Sequence, residues 1–430
     1  MTSPAQSRAI IAAAERVKTG HAEQEALWRH GFTRRRFLAG AGMVATAGLG
    51  SQLVTSRYAF AAPATGNGKT LVYVFLRGGF DGLGTVIPGS DPDYIAARGS
   101  MAIPSGSLLN LDRTFGLHPS VAALLPLWTS GQLGIVHAVG ATESSRSHFD
   151  AQEQVERGVA SPGTHTGWLA RVLAEMGPGT TFRAVSEGVT VARSLAGAPG
   201  AIAMSGIGSL TLLDSQPAML TALESLFTGL DDPAGAHGLN TLQAMADAIP
   251  IQAQFPTPAP GAVYPNDGVG DRMADIARLI KADAGLRVAT LDIGGWDMHT
   301  NAGAVTGDMA NNLAALSQTL SAFATDVGPR ISDVTVVTMS EFGRRLARNG
   351  SSGTDHGKGG VMFLLGGGVR GGLVHGAWPG LAPAALVQGD LATPNDYRDV
   401  LGEVAQRTLG LGSLTSVFPG HTYRPLGVMS

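Results

Sequence analysis

Three apolar stretches in this chain, Thr70 to Leu76, Arg287 to Ile293 and Val334 to Met339, lack the polar alternation of a strand with one wet face. A strand covered by helices on both faces reads this way, so these stretches predict the centre of a parallel sheet. Shorter runs bounded by Gly, Asp or Ser predict further strands at Leu133 to Val139, Val189 to Arg193 and Val361 to Leu365. Helical periodicity falls at Val121 to Ser130, Ser147 to Gly158, Gly167 to Glu175, Asp271 to Ala284, Asp308 to Val327 and Asn395 to Leu409. Alternating elements of this kind predict an α/β fold with a doubly wound, mostly parallel sheet and helices on both faces. Between Ala198 and Asp267 the pattern dissolves into Gly, Pro and small residues, which predicts an insertion or cap on that sheet.

The composition sets outer limits on function. Of 430 residues 44% are hydrophobic and 15% are charged, and the second figure, well below the usual quarter, implies a large core. A net charge of -3 without blocks of like charge argues against nucleic acid or an acidic membrane surface as partner. There is no cysteine, which excludes disulfides, thiolate zinc sites, iron-sulfur clusters and a cysteine nucleophile. Carboxylate, imidazole, amide and hydroxyl groups must carry any chemistry.

The N-terminal region reads as an address. Thr33-Arg34-Arg35-Arg36-Phe37-Leu38 fits the twin-arginine export pattern, and a Gly- and Ala-rich apolar stretch follows from Ala39 to Val54. Ala59 and Ala61 then supply small residues for a signal peptidase. A membrane span needs roughly 20 solidly apolar residues, and this glycine-diluted segment is short of that. Residues 1–62 are therefore expected to be a leader that engages the twin-arginine translocase. A mature domain of residues 63–430, periplasmic or extracellular and without a permanent span, is expected after processing.

Polar clusters follow the strand-like runs, where side chains of an α/β sheet converge on one crevice. Asp81 lies in Gly78-Gly79-Phe80-Asp81-Gly82, placed to approach an ion through a glycine turn or to cap its own backbone. Asp297 and His299 in Gly294-Gly295-Trp296-Asp297-Met298-His299 are two residues apart and can chelate one ion, a pairing that suits zinc, manganese or iron. Asp292 is a possible additional carboxylate. Glu341 follows a strand, and Asp355 with His356 in Asp355-His356-Gly357 precedes the next one. Between Val139 and a helix, Ser144, Ser145, Arg146 and Ser147 occupy a helix N-terminus, where anions bind. Ser145 and Ser147 are the leading candidate nucleophiles, with Ser144 behind them, and Arg146 can brace an oxyanion. A serine there is equally a helix cap.

Taken in order, the twin-arginine leader, Arg77-Gly78-Gly79-Phe80-Asp81-Gly82, Leu117-His118-Pro119, Arg146-Ser147-His148-Phe149, Gly295-Trp296-Asp297-Met298-His299, Ser340-Glu341-Phe342-Gly343-Arg344 and Asp355-His356-Gly357 resemble the DUF1501 family. That resemblance implies the alkaline phosphatase and sulfatase superfamily, with an alkaline phosphatase-like sheet and one or two divalent ions among zinc, manganese, magnesium and calcium. It further implies Asp81, Asp297, His299, Glu341, Asp355 and His356 as metal ligands and Ser145 or Ser147 at the nucleophile position. The superfamily's Asp-His-Gly signature directly follows a strand, whereas here Ser340-Glu341-Phe342-Gly343 takes that place; in one alignment Glu341 replaces the aspartate, Phe342 the histidine, and His356 a later metal-binding histidine. The implied activity is hydrolysis of anionic phosphate or sulfate esters by a serine or a metal-bound water. The alternative is a non-catalytic relative that binds a metal or ligand at the cell surface.

Overall fold

The computed structural model describes residues 68–141, 145–159, 163–211, 217–228, 230 and 233–430. The expected leader, its export motif and Ser144 lie outside the described residues. The main strands are β1 (Thr70–Leu76), β2 (Leu133–Gly140), β3 (Ala184–Glu187), β4 (Ile202–Met204), β5 (Val288–Ile293), β6 (Val334–Met339), β7 (Gly360–Gly366), β8 (Val374–His375) and β9 (Asn395–Asp396). They form one sheet in the order β8-β2-β7-β6-β1-β5-β3-β4, with β9 also on β2. Every pairing is parallel except those of β7, which runs against both β2 and β6. The expected α/β architecture with a mostly parallel sheet is the one observed.

The longer helices are α1 (His148–Arg157), α2 (Trp168–Met176), α3 (Pro217–Thr228), α4 (Pro233–Gln254), α5 (Gly268–Lys281), α6 (Asp308–Val327) and α7 (Tyr397–Leu409). On one face of β1, Leu71, Tyr73 and Phe75 pack into a cluster with Trp168 and Val172 of α2 and Val400 and Val404 of α7. The Tyr73 and Trp168 rings meet edge to face, with centroids 5.4 Å apart. Val72 and Val74, which point the other way, are equally buried, which explains the missing alternation. Each such side chain contributes roughly 1.5–3 kcal/mol when buried. Helix α5 packs against β5 and α6.

Two units are separable by compactness. The described residues between 210 and 249 belong to the smaller one and hold α3 and most of α4, while those between 68 and 209 and from 250 to 430 belong to the larger. The expected strand at Val189 to Arg193 is not formed. The strand of that region is β3, which ends at Glu187, and Val189 is 89% exposed, so its alternating valines lie on a surface turn. No helix among the described residues is long and apolar enough to cross a membrane.

Register determines where the chemistry can collect. Leu76 pairs with Ile293 and Phe75 with Met339, so β1, β5 and β6 end side by side. The segments 77–81, 294–299 and 340–342 therefore emerge together. Because β7 is antiparallel and begins opposite Val139 at the end of β2, the residues just before it lie at the same edge. An Asp-His pair that precedes a strand can thus stand where one following a parallel strand would.

Candidate metal centre

Helix α1 starts at that edge, with Ser147 as its N-cap and Gly158 in the left-handed conformation closing it. Its first residue, His148, joins Asp297 and His356 in a group whose donor atoms all lie within 4.8 Å of one another. The three come from segments after β2, after β5 and before β7. His299 adjoins them, with Nε2 3.0 Å from Asp297 Oδ1 and 2.9 Å from His356 Nε2.

Each imidazole is oriented from behind. His148 Nδ1 donates to Glu341 Oε1 at 2.8 Å, His356 Nδ1 to the Arg146 carbonyl at 2.7 Å, and His299 Nδ1 to Asp355 Oδ1 at 3.1 Å. An oxygen acceptor at Nδ1 favours the tautomer with its proton there, which leaves Nε2 as the lone-pair nitrogen. All three Nε2 atoms face Asp297. Histidine ligands in metal sites are held this way, by a carboxylate or carbonyl on the far nitrogen.

Two observations test whether a cation fits. His148 Nε2 is buried and makes no hydrogen bond among the described residues, although it lies 3.3 Å from Asp297 Oδ2. A buried nitrogen left so is costly, and a cation on it removes the cost. The facing Nε2 atoms of His299 and His356 present two lone pairs at hydrogen-bond distance, an arrangement that asks for a positive charge. Nitrogen and carboxylate donors together suit zinc, manganese or iron. The residues present fit a divalent ion.

Arg344 ties the loops of the centre together. It is 1% exposed and donates to the carbonyls of Gly78, Gly79, Trp296 and Thr354, and at 2.5 Å to Asp297 Oδ1. Burial works to raise the Asp297 carboxyl, but interactions led by the bond from Arg344 outweigh it and hold the group at about 2. Asp297 therefore stays charged throughout the neutral range. Phe342 lies as a wall beside the rings of His148 and His356, at centroid distances of 5.0 and 4.7 Å.

The other predicted residues fall in distinct places. Glu341 is buried behind His148, where Oε1 accepts from Gly78 N, His148 and Gln152 and Oε2 from Ser340 Oγ. Those bonds overcome burial and lower its carboxyl, and they make it the partner of His148. Asp355 stands likewise behind His299, steadied by Asn349. Asp81 is not brought into the group: both its oxygens accept from the buried Arg98 of the short helix Pro92–Arg98. Asp81 also accepts from Gly84 N, the capping role open to it in the sequence. Asp292 pairs with Arg77 at 2.7 Å. Ser145 Oγ donates to Asp150 and accepts from Ser147 N, so it braces the turn, whereas Ser147 makes no cap bond. The Arg146 guanidinium pairs with buried Asp390, which it shares with Arg345. His118 and His137 are core residues bonded to backbone carbonyls.

Sequence reasoning missed His148 as a donor, along with the roles of Gln152 and Arg344. The signal was present in Arg146-Ser147-His148-Phe149, but the serines and arginine of that motif drew the chemical reading.

A comparison with curated proteins gives no match. Among solved structures, the lipoteichoic acid synthase LtaP from Listeria monocytogenes is similar at 10% identity and a TM-score of 0.31, over 83% of this chain and 80% of that one. A likeness at that score carries no argument about function. Residues 261–403, which contain Asp297, His299, Glu341, Asp355 and His356 but not His148, match the family described as "Protein of unknown function (DUF1501)", and the family signature carried by this segment is the one that the motif order indicated.

Proposed function

We propose that the chain is an exported, metal-dependent hydrolase of phosphate or sulfate esters. The observation that carries this reading is the convergence of His148, Asp297 and His356, with His299 beside them, each imidazole turned by an acceptor on its far nitrogen. The ester class is supported by the ordered motifs that resemble DUF1501, and export by the twin-arginine pattern at Thr33 to Leu38. A divalent ion bound there would supply Lewis acidity toward an ester oxygen and toward water.

The chain's own groups do the rest. Asp297 and the three imidazoles would hold the ion, while Glu341 and Asp355 keep two of those rings in place. The N-terminus of α1, ten residues long, directs unsatisfied N–H groups toward an anionic ester beside His148. An oxygen nucleophile adds to phosphorus or sulfur and gives its proton to solvent, the bond to the ester oxygen breaks, and the departing alkoxide takes a proton from solvent; where a serine is the nucleophile, water then cleaves the seryl ester and frees the serine. Ser147, free of a cap bond, and water are the two sources of that nucleophile.

Purified protein without chelator should carry stoichiometric divalent metal and hydrolyse members of a panel of aryl phosphates, phosphodiesters and sulfates. Asp297→Ala and His356→Ala should lose both metal and activity. Ser147→Ala separates the nucleophiles, because retained turnover assigns the role to water. Stoichiometric metal in both ligand variants overturns the centre, and bound metal with no turnover on any ester leaves a metal-binding relative.

A further inference from the structure

A cleft of about 1050 Å³ opens at the ends of β1, β3 and β5, on the same edge of the sheet as the metal centre. Its volume is that of a site for a small organic ligand. Helix α1 connects the two places. His148, Gln152 and Glu156 are spaced by four residues along one face, and four residues advance a helix by about 6 Å. Gln152 and Glu156 line the cleft, while Gln152 also donates to Glu341 behind His148. A molecule with one end at the ion thus reaches the cleft one helical turn away.

The lining says what kind of group it takes. Its cations are already engaged: Arg77 with Asp292, Gln152 and Glu156, Arg193 with Glu153, and Arg272 with the carbonyls of Gly268, Glu187 and Asp292. Among the anions, Asp275 is paired with Arg278. A strongly charged ligand would meet charges that are largely spoken for. What remain are two buried polar atoms with no hydrogen-bond partner among the described residues, Glu187 Oε1 and Thr290 Oγ1, each on a residue 2% exposed. Burial pushes the Glu187 carboxyl up to about 8, so it is mostly protonated at neutral pH and can donate as well as accept. The exposed carboxylate of Asp271 adds an acceptor, and Val189, Val191 and Ala196 supply an apolar wall. A neutral donor-acceptor floor facing a small apolar wall matches the hydroxyls and the C–H face of a sugar ring.

We propose that this cleft binds the neutral, polyhydroxylated part of the substrate, a sugar, whose phosphate or sulfate ester lies at the metal centre. The sugar assignment stands on the cleft alone; only the placement of the ester rests on the hydrolase reading. A buried hydroxyl and a buried carboxyl oxygen without a partner are costly, and a fold that keeps both beside a cleft offers its ligand ready hydrogen bonds.

The test separates the two ideas. The chelator-treated full chain is titrated with the methyl glycosides of glucose, galactose, mannose and N-acetylglucosamine, with saturation-transfer NMR and calorimetry as readouts. At least one should bind, and Thr290→Val and Asp271→Asn should each weaken that binding about tenfold. Thr290→Val is isosteric and relieves an unpaired hydroxyl, so it should melt no lower than the parent, which distinguishes lost contact from lost fold. No binding across the panel, or binding indifferent to both variants, overturns the cleft assignment. The metal-loaded chain is then offered 6-phosphates and 6-sulfates of the bound sugars beside nitrophenyl esters. Sugar binding without hydrolysis of any ester sinks the hydrolase reading and leaves the cleft, while nitrophenyl turnover without sugar binding does the reverse.

Discussion

Asp81 and His148 show how a single residue's role is decided by what lies across from it. Asp81 has the local look of a ligand, a carboxylate in a glycine turn at a strand end. Its fate is set by Arg98, 17 residues later, whose guanidinium takes both oxygens in a buried pair. No local pattern announces that pairing. His148 has the opposite history, since a lone histidine one residue past a serine cap has no neighbour to advertise it. Only the helix register and the end of β2 aim it at Asp297. Asp81→Asn should therefore destabilise the fold by about 3 kcal/mol, the scale of breaking a buried ion pair, while leaving metal stoichiometry intact. Glu341→Gln should keep the fold and weaken metal binding by roughly 10- to 100-fold, as loss of a carboxylate behind a histidine ligand does. Thermal melting and elemental analysis of the two variants check both outcomes; loss of metal in Asp81→Asn without loss of stability would return Asp81 to the ligand set.

Elements explain why the loops sit so close. Gly78, at φ +120°, brings its backbone so near the Asp297 loop that a Cβ would stand 2.5 Å from Asp297 N. A Cβ on Gly343 would meet the Gly359 carbonyl at 1.9 Å, so the segment after β6 and the one before β7 touch backbone to backbone. Arg344 fills the junction with five acceptors from three segments. Lysine offers a point charge where this planar fork is used. Arg344→Lys should cost about 3–5 kcal/mol, since several buried carbonyls lose their donor together, and should lower metal affinity through Asp297. Chemical denaturation read beside metal titration measures both effects; unchanged stability would show that the loops hold without this side chain. At this scale much was legible. The strands Thr70–Leu76 and Val334–Met339 and the helix Asp308–Val327 agree with their sequence patterns to the residue. The direction of β7 was not, because an apolar run reads the same both ways. That reversal is what places Asp355 and His356 at the right edge although they come before their strand.

For the whole molecule, buried carboxylates pull stability in two directions with pH. Asp81 and Glu341 have lowered values in the folded state, where for each the hydrogen bonds and ion pairs described above overcome burial. Asp297 and Asp355 are lowered too but are partly exposed, so solvent screens their share. A group lowered on folding contributes stability above its unfolded value and loses it as pH falls through the folded one, which sets an acid limb below about pH 4. Glu187 is raised, from an ordinary 4.5 to about 8, by burial. Between those values the folded state holds a proton that the unfolded state has released, so stability falls as pH rises across that window. The metal-free protein should then melt highest in mildly acidic solution, near pH 5, and lower on either side. Glu187→Gln removes the ionisation and keeps the shape, so it should flatten the limb between pH 5 and 8 and leave the acid limb as it was. A gain of at least a few degrees at pH 8 with none at pH 4.5 is expected, given that 1 kcal/mol shifts the melting point of a large domain by about 2 °C. Parallel pH profiles of melting for parent and variant would place Glu187 in an ordinary solvated environment, and take the floor from the cleft, if the two ran alike from pH 5 to 8.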